Sequence, residues 1–123
     1  MFSHVMVGVN DLEKSKVFYD AVLGALGLPA GVANKQRYFY RSAGGNFAIT
    51  KPINGEAACH GNGNTIGFNV DSPAQADAFH AAGVAPFNPG CADPPVSLAP
   101  PVVKLSLASL PSPARPPVCA LFL

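Results

Sequence analysis

The chain has 123 residues, 49% of them apolar and only 12% charged, with a formal net charge of +1. That length supports a hydrophobic core without a disulfide framework or a structural metal. Near-neutrality gives no electrostatic reason to expect nucleic acid or an anionic membrane as partner, and no segment approaches the run of about 18 apolar residues that a membrane span needs.

Residues 4–9 (HVMVGV) alternate apolar and other residues, the period-2 mark of a strand with one buried face. Asn10, with Glu13 three positions on, resembles a capping box and predicts a helix start. The helix presents Leu12, Ser15, Phe18, Tyr19, Val22 and Leu26 at helical spacing and stops at Gly27-Leu28-Pro29. Arg37-Tyr38-Phe39-Tyr40-Arg41 reads as an aromatic-rich strand, and the Gly44-Gly45 turn leads into a second one over residues 46–51. Residues 52–64 (PINGEAACHGNGN) are a Gly/Asn-rich connection. A further alternating strand begins at Thr65. Ser72 with Gln75 then forms a better capping box, with Pro73 at the first helical position, where its missing N–H costs nothing. This second helix presents Ala76 and Phe79 and stops at Gly83. Later strands are expected near residues 102–108 and 118–122. Of the 13 prolines, all but Pro29, Pro52 and Pro73 fall at or after Pro86, in the region where those strands are needed.

The order contains a repeat. Residues 4–20 (HVMVGVNDLEKSKVFYD) align without a gap on residues 65–81 (TIGFNVDSPAQADAFHA). Val5 meets Ile66, Val7 meets Phe68, Val9 meets Val70 and Phe18 meets Phe79. The reading is an α+β fold in one duplicated domain: unit one over about 1–52, a linker over 53–63 and unit two over about 64–123. The three cysteines, Cys59, Cys91 and Cys119, are an odd number with no Cys-x-x-Cys spacing, which fits a reducing compartment. Met1-Phe2-Ser3-His4 lacks the regions of a signal peptide, so a cytoplasmic location is expected. So little charge predicts apolar surface hidden in a homodimer.

Ser3-His4-Val5, Val9-Asn10-Asp11-Leu12-Glu13-Lys14-Ser15, Phe18-Tyr19 and Leu23-Gly24-Ala25-Leu26-Gly27 together resemble the opening of the vicinal oxygen chelate superfamily. That superfamily includes glyoxalase I, bleomycin-resistance proteins and extradiol dioxygenases. Gly44-Gly45-Asn46-Phe47 and Thr65-Ile66-Gly67-Phe68 fit its later strands, and the resemblance holds through about Val84. It implies two βαβββ units whose curved sheets form a cup for a small organic molecule. Metal-dependent members hold a divalent ion (Zn, Ni, Mn or Fe) with one ligand on the first strand of each unit and one on its last.

Within that fold, alternation turns Val5, Val7 and Val9 under the helix and His4, Met6 and Gly8 into the cup. Thr65, Gly67 and Asn69 follow by the repeat, Thr50 by the alternation of its strand, and Cys119 from the terminal strand. The cup-facing set is therefore His4, Met6, Thr50, Thr65, Asn69 and Cys119. At the four ligand positions the chain offers His4, Thr50, Thr65 and Cys119. Of these, only His4 is an ordinary ligand for such an ion, since neutral hydroxyls repay little of its lost hydration, and Cys119 would suit zinc. Two readings stay open. One is a metal-assisted lyase, isomerase or dioxygenase-like enzyme with His4 as a metal ligand. The other is a metal-free protein that sequesters an antibiotic-like ligand without catalysis and needs no cofactor.

Other residues allow more than one role. His4 also suits a general base, a substrate hydrogen bond or a plain structural position. Arg37 and Arg41 share one strand face with Phe39. They either clamp an anionic group or face solvent. Cys59-His60 lies on the Gly-rich linker, where adventitious metal binding is easy and a preorganised site is not expected, and His80 lies on the second helix, where a surface or packing role is expected.

Overall fold

The alternating residues at the start of the chain form strand β1 (His4–Gly8), followed by helix α1 (Leu12–Gly24), β2 (Val32–Ala33), β3 (Arg37–Ser42) and β4 (Gly45–Thr50). After the connection come β5 (Thr65–Asn69), helix α2 (Pro73–Val84) and β6 (Val118–Phe122). This computed structural model describes residues 2–59, 63–85 and 118–122. The chain divides into two compact units, Met1–His60 and Gly61–Leu123. The strand expected near 102–108 lies outside the described residues, whereas the one expected near 118–122 is β6.

In the first unit the sheet order is β1-β4-β3-β2. β1 runs parallel to β4, with Val5 beside Phe47 and Val7 beside Ile49. β3 runs antiparallel to β4, with Tyr40 beside Phe47 and Tyr38 beside Ile49. Side chains of paired residues share a face, so one face collects Val5, Val7, Phe47, Ile49, Tyr38 and Tyr40. Helix α1 covers that face. Tyr19, Val22 and Leu23 are buried on it, together with Tyr40, Phe47 and Ile49 from the sheet. The Tyr19 ring lies 4.9 Å from Phe47 and 6.3 Å from Tyr40, centroid to centroid, in tilted geometry. Each such side chain contributes roughly 1.5–3 kcal/mol when taken fully from water.

The start of α1 differs from the sequence reading. Its N-cap is Asp11, whose carboxylate accepts from Lys14 N at 3.0 Å. Asn10 is engaged elsewhere: its Nδ2 donates to Ala58 O at 3.1 Å and its Oδ1 accepts from Ala58 N. One amide side chain matches one peptide group, so Asn10 ties the 52–58 loop to the end of β1. The helix terminates as expected, with Gly27 at φ 80° and Leu28 N returning to Leu23 O at 3.1 Å.

Three side chains lock α1 to the sheet. Asp20 Oδ1 accepts from Gly31 N at 2.9 Å, and its other oxygen pairs with Lys16. Tyr38 donates to Glu13 Oε1 at 2.8 Å, beneath the Lys16 ammonium. Tyr40 donates to Lys16 O at 3.4 Å, and Gly31 passes so close to its ring that a Cβ there would sit 2.8 Å from Cζ.

In the second unit β5 pairs antiparallel with β6. Here the sequence reading of the helix start holds. Ser72 caps α2 by accepting from Gln75 N, Pro73 stands in its first turn, and Gln75 Oε1 reaches back to Asp71 N at 2.7 Å. Phe79 is fully buried and its ring lies 5.8 Å from Phe68. Phe18, its partner in the repeat, is only half-buried while neighbouring Tyr19 takes the core position. The buried face of α1 is thus rotated by one residue relative to the aligned sequences.

Candidate functional site

Because Tyr38 and Tyr40 engage α1, the intervening residues Arg37, Phe39 and Arg41 lie on the opposite, open face of the first sheet. Register then orders that face into three rows. His4, Asn46 and Arg41 form the first; Met6, Ala48, Phe39 and Val32 the second; Gly8, Thr50 and Arg37 the third. The middle row is wholly apolar, with Val32 58% and Met6 36% exposed at its two ends and Ala48 sealed between Met6 and Phe39. The outer rows are polar. The four carboxylates of this unit, Asp11, Glu13, Asp20 and Glu56, all lie on α1, its cap or a loop, so the strands carry two arginines and a histidine with no acidic residue.

His4, Met6 and Thr50 share the sheet face opposite α1, but His4 and Thr50 do not meet. His4 pairs with Asn46, and Thr50 pairs with Gly8 at the other end of the strand. Four residues at ~3.3 Å each put about 13 Å between them. The Thr50 hydroxyl also turns to backbone carbonyls, those of Gln36 at 3.3 Å and Lys51 at 3.0 Å. His4 Nδ1 lies 2.9 Å from Ser3 Oγ, and Asn46 Nδ2 donates to Ser3 O at 3.3 Å.

In the second unit Thr65, Gly67 and Asn69 are exposed while Ile66 and Phe68 are half-buried, which is the alternation expected of β5. Cys119 does not join the Thr65 and Asn69 row. Its register partner is Phe68, on the helix side; Phe122 pairs with Thr65 and Val118 with Asn69.

These placements decide whether the residues fit a divalent ion. Metal–ligand bonds of about 2.0–2.3 Å require donors to converge on one point. Across the sheet from His4 stands Asn46, with Ala48 diagonal to it, and neither offers an anionic or imidazole donor. Among the described residues no three His, Cys, Asp or Glu side chains gather closely enough to hold an ion. Within the first sheet, the described neighbours of His4 do not supply the donor set that the superfamily's metal-dependent members use.

A second feature was not legible in advance. Two adjoining open depressions of about 290 and 480 Å³ lie where β1 runs into α1, and they share Asn10, Gln36 and Lys51. Glu56 and Pro52 border the smaller, Glu13 and Lys35 the larger. The only sequence signal was the Gly/Asn-rich composition of residues 52–64, and nothing in it named Asn10 as the anchor.

A four-stranded mixed sheet carrying a helix on one face, followed by a second strand–helix unit, defines the α+β class expected of the duplicated pattern. A crystal structure of a glyoxalase/bleomycin resistance protein from Albidiferax ferrireducens T118 matches the chain with 72% sequence identity and a TM-score of 0.68, covering 69% of this chain and 70% of that one. The chain belongs to the glyoxalase/bleomycin resistance family of the vicinal oxygen chelate superfamily. No protein-family model and no curated protein matches it.

Proposed function

We propose that this protein binds a small organic molecule on the open sheet face and does so without a metal. The observation that carries the reading is the apolar Met6–Ala48–Phe39–Val32 row, bounded on both sides by polar residues. An apolar floor with a few fixed polar groups is the usual composition of a small-molecule site. That no described group of His, Cys, Asp or Glu gathers at His4 favours sequestration over metal-assisted lyase, isomerase or dioxygenase chemistry. A homodimer in the cytoplasm is part of the same proposal. Its support is the 12% charge, the exposed Phe2 and Val17 side chains and the odd cysteine count. No described helix is long and apolar enough to cross a membrane.

Thermal denaturation with a panel of planar aromatic compounds tests the reading. A ligand present at many times its Kd raises Tm by several degrees. Phe39→Ala should abolish that rise. A protein unmoved by the whole panel would defeat the proposal, and a rise with nickel, zinc or manganese alone would transfer support to the metal-dependent enzyme.

A further inference from the structure

The three rows of the open face are chemically unequal. Arg37 stands beside Thr50, whose hydroxyl is turned to backbone carbonyls, and then Gly8, which has no side chain. Arg41 stands beside Asn46 and then His4. Neither arginine forms an ion pair among the described residues, whose salt bridges are Lys14 with Asp11 and Lys16 with Asp20. Arg41, Asn46 and His4 are exposed or half-buried on one edge of an apolar floor, with no carboxylate on any described strand to neutralise them.

We propose that the His4–Asn46–Arg41 row takes the carboxylate of a planar apolar acid whose body lies across Met6, Ala48 and Phe39. The inference rests on the small-molecule reading above and names the class of ligand. Four arguments support it. The guanidinium presents paired N–H donors in a planar fork that matches a carboxylate, and the pairing strengthens where an apolar body excludes water. When the Ser3 hydroxyl donates to His4 Nδ1, the proton sits on Nε2, which adds a second donor to the row. The polar row lies two residues from the apolar one, about 7 Å along the strand. That distance is comparable to the reach from a carboxylate to the middle of a ring system attached to it. One guanidinium matches one negative charge, which favours a carboxylate over a phosphate monoester with close to two.

Titration calorimetry with three probes of one shape tests this: naphthoate, naphthamide and naphthylmethylammonium. Wild-type protein should bind naphthoate about tenfold more tightly than naphthamide, the effect of one good charge-assisted contact, and the ammonium most weakly. Arg41→Gln should remove most of the preference for naphthoate over naphthamide, and an unchanged circular dichroism spectrum and melting temperature report that the variant is folded. Lys14→Gln, a charge change on the helix, should keep the tenfold preference. Equal binding of acid and amide by wild type, or a preference that survives Arg41→Gln, overturns the inference while the small-molecule reading stands. Failure of all three probes to bind overturns both.

Discussion

Gly31 and Asp20 show how a single residue constrains the sheet. A methyl group at Gly31 would meet Tyr40 Cζ at 2.8 Å and Oη at 2.9 Å, and Tyr40 is a fully buried core ring that cannot swing away. Gly31→Ala is therefore expected to lower unfolding free energy by about 1–3 kcal/mol in urea titrations. Gly24→Ala, at the end of α1 with nothing near its missing Cβ, should be neutral or stabilising by up to about 1 kcal/mol. Asp20 supplies a pH dependence. Partial burial alone would raise its pKa, but the hydrogen bonds from Gly31 N and Lys16, with the nearby Tyr40 hydroxyl, outweigh it and hold the carboxyl below its ordinary value. A depressed folded pKa stabilises the native state above the unfolded pKa, and that stability is lost as pH falls through the folded value. Wild type should thus be more stable than Asp20→Asn at pH ~7, and the gap should shrink below pH ~4. A gap that stayed constant into acid would show that the carboxylate's charge plays no part.

At the scale of elements, the sequence was most informative where period and cap chemistry agreed. Alternation placed Phe47 and Ile49 against the helix and left His4, Met6 and Thr50 on the other face, as β1–β4 pairing shows. Ser72, Pro73 and Gln75 marked the start of α2 because each acts on its own helix turn. The misses involve partners distant in sequence. Asn10 and Asp11 both suit an N-cap, and only the Ala58 peptide group, 48 residues away, decides that Asn10 serves the loop. Likewise, periodicity puts His4 and Thr50 on one face but carries no register, so their separation along the sheet was invisible. Asn10→Ala should free the 52–58 loop and speed hydrogen exchange at the Ala58 amide at least tenfold, with little change at amides inside β4. Unchanged exchange at Ala58 would mean the loop is held by something else.

For the whole molecule, family membership and the open face together supply the functional account, and neither suffices alone. The family hosts both metal enzymes and binding proteins, and a shared fold does not choose between them. What separates the proposed readings is the chemistry of the first sheet, where no described group of His, Cys, Asp or Glu gathers at His4 and an apolar row runs between two polar ones. The depressions beside Asn10 offer a competing location for a ligand. Backbone amide chemical shifts recorded during a naphthoate titration distinguish the two places. The account predicts saturable shifts concentrated in β3 and β4, from Arg37 to Ser42 and from Gly45 to Thr50, extending to Met6 on β1. Shifts confined to Asn10, Gln36 and residues 51–57, with β3 and the centre of β4 unmoved, would contradict it.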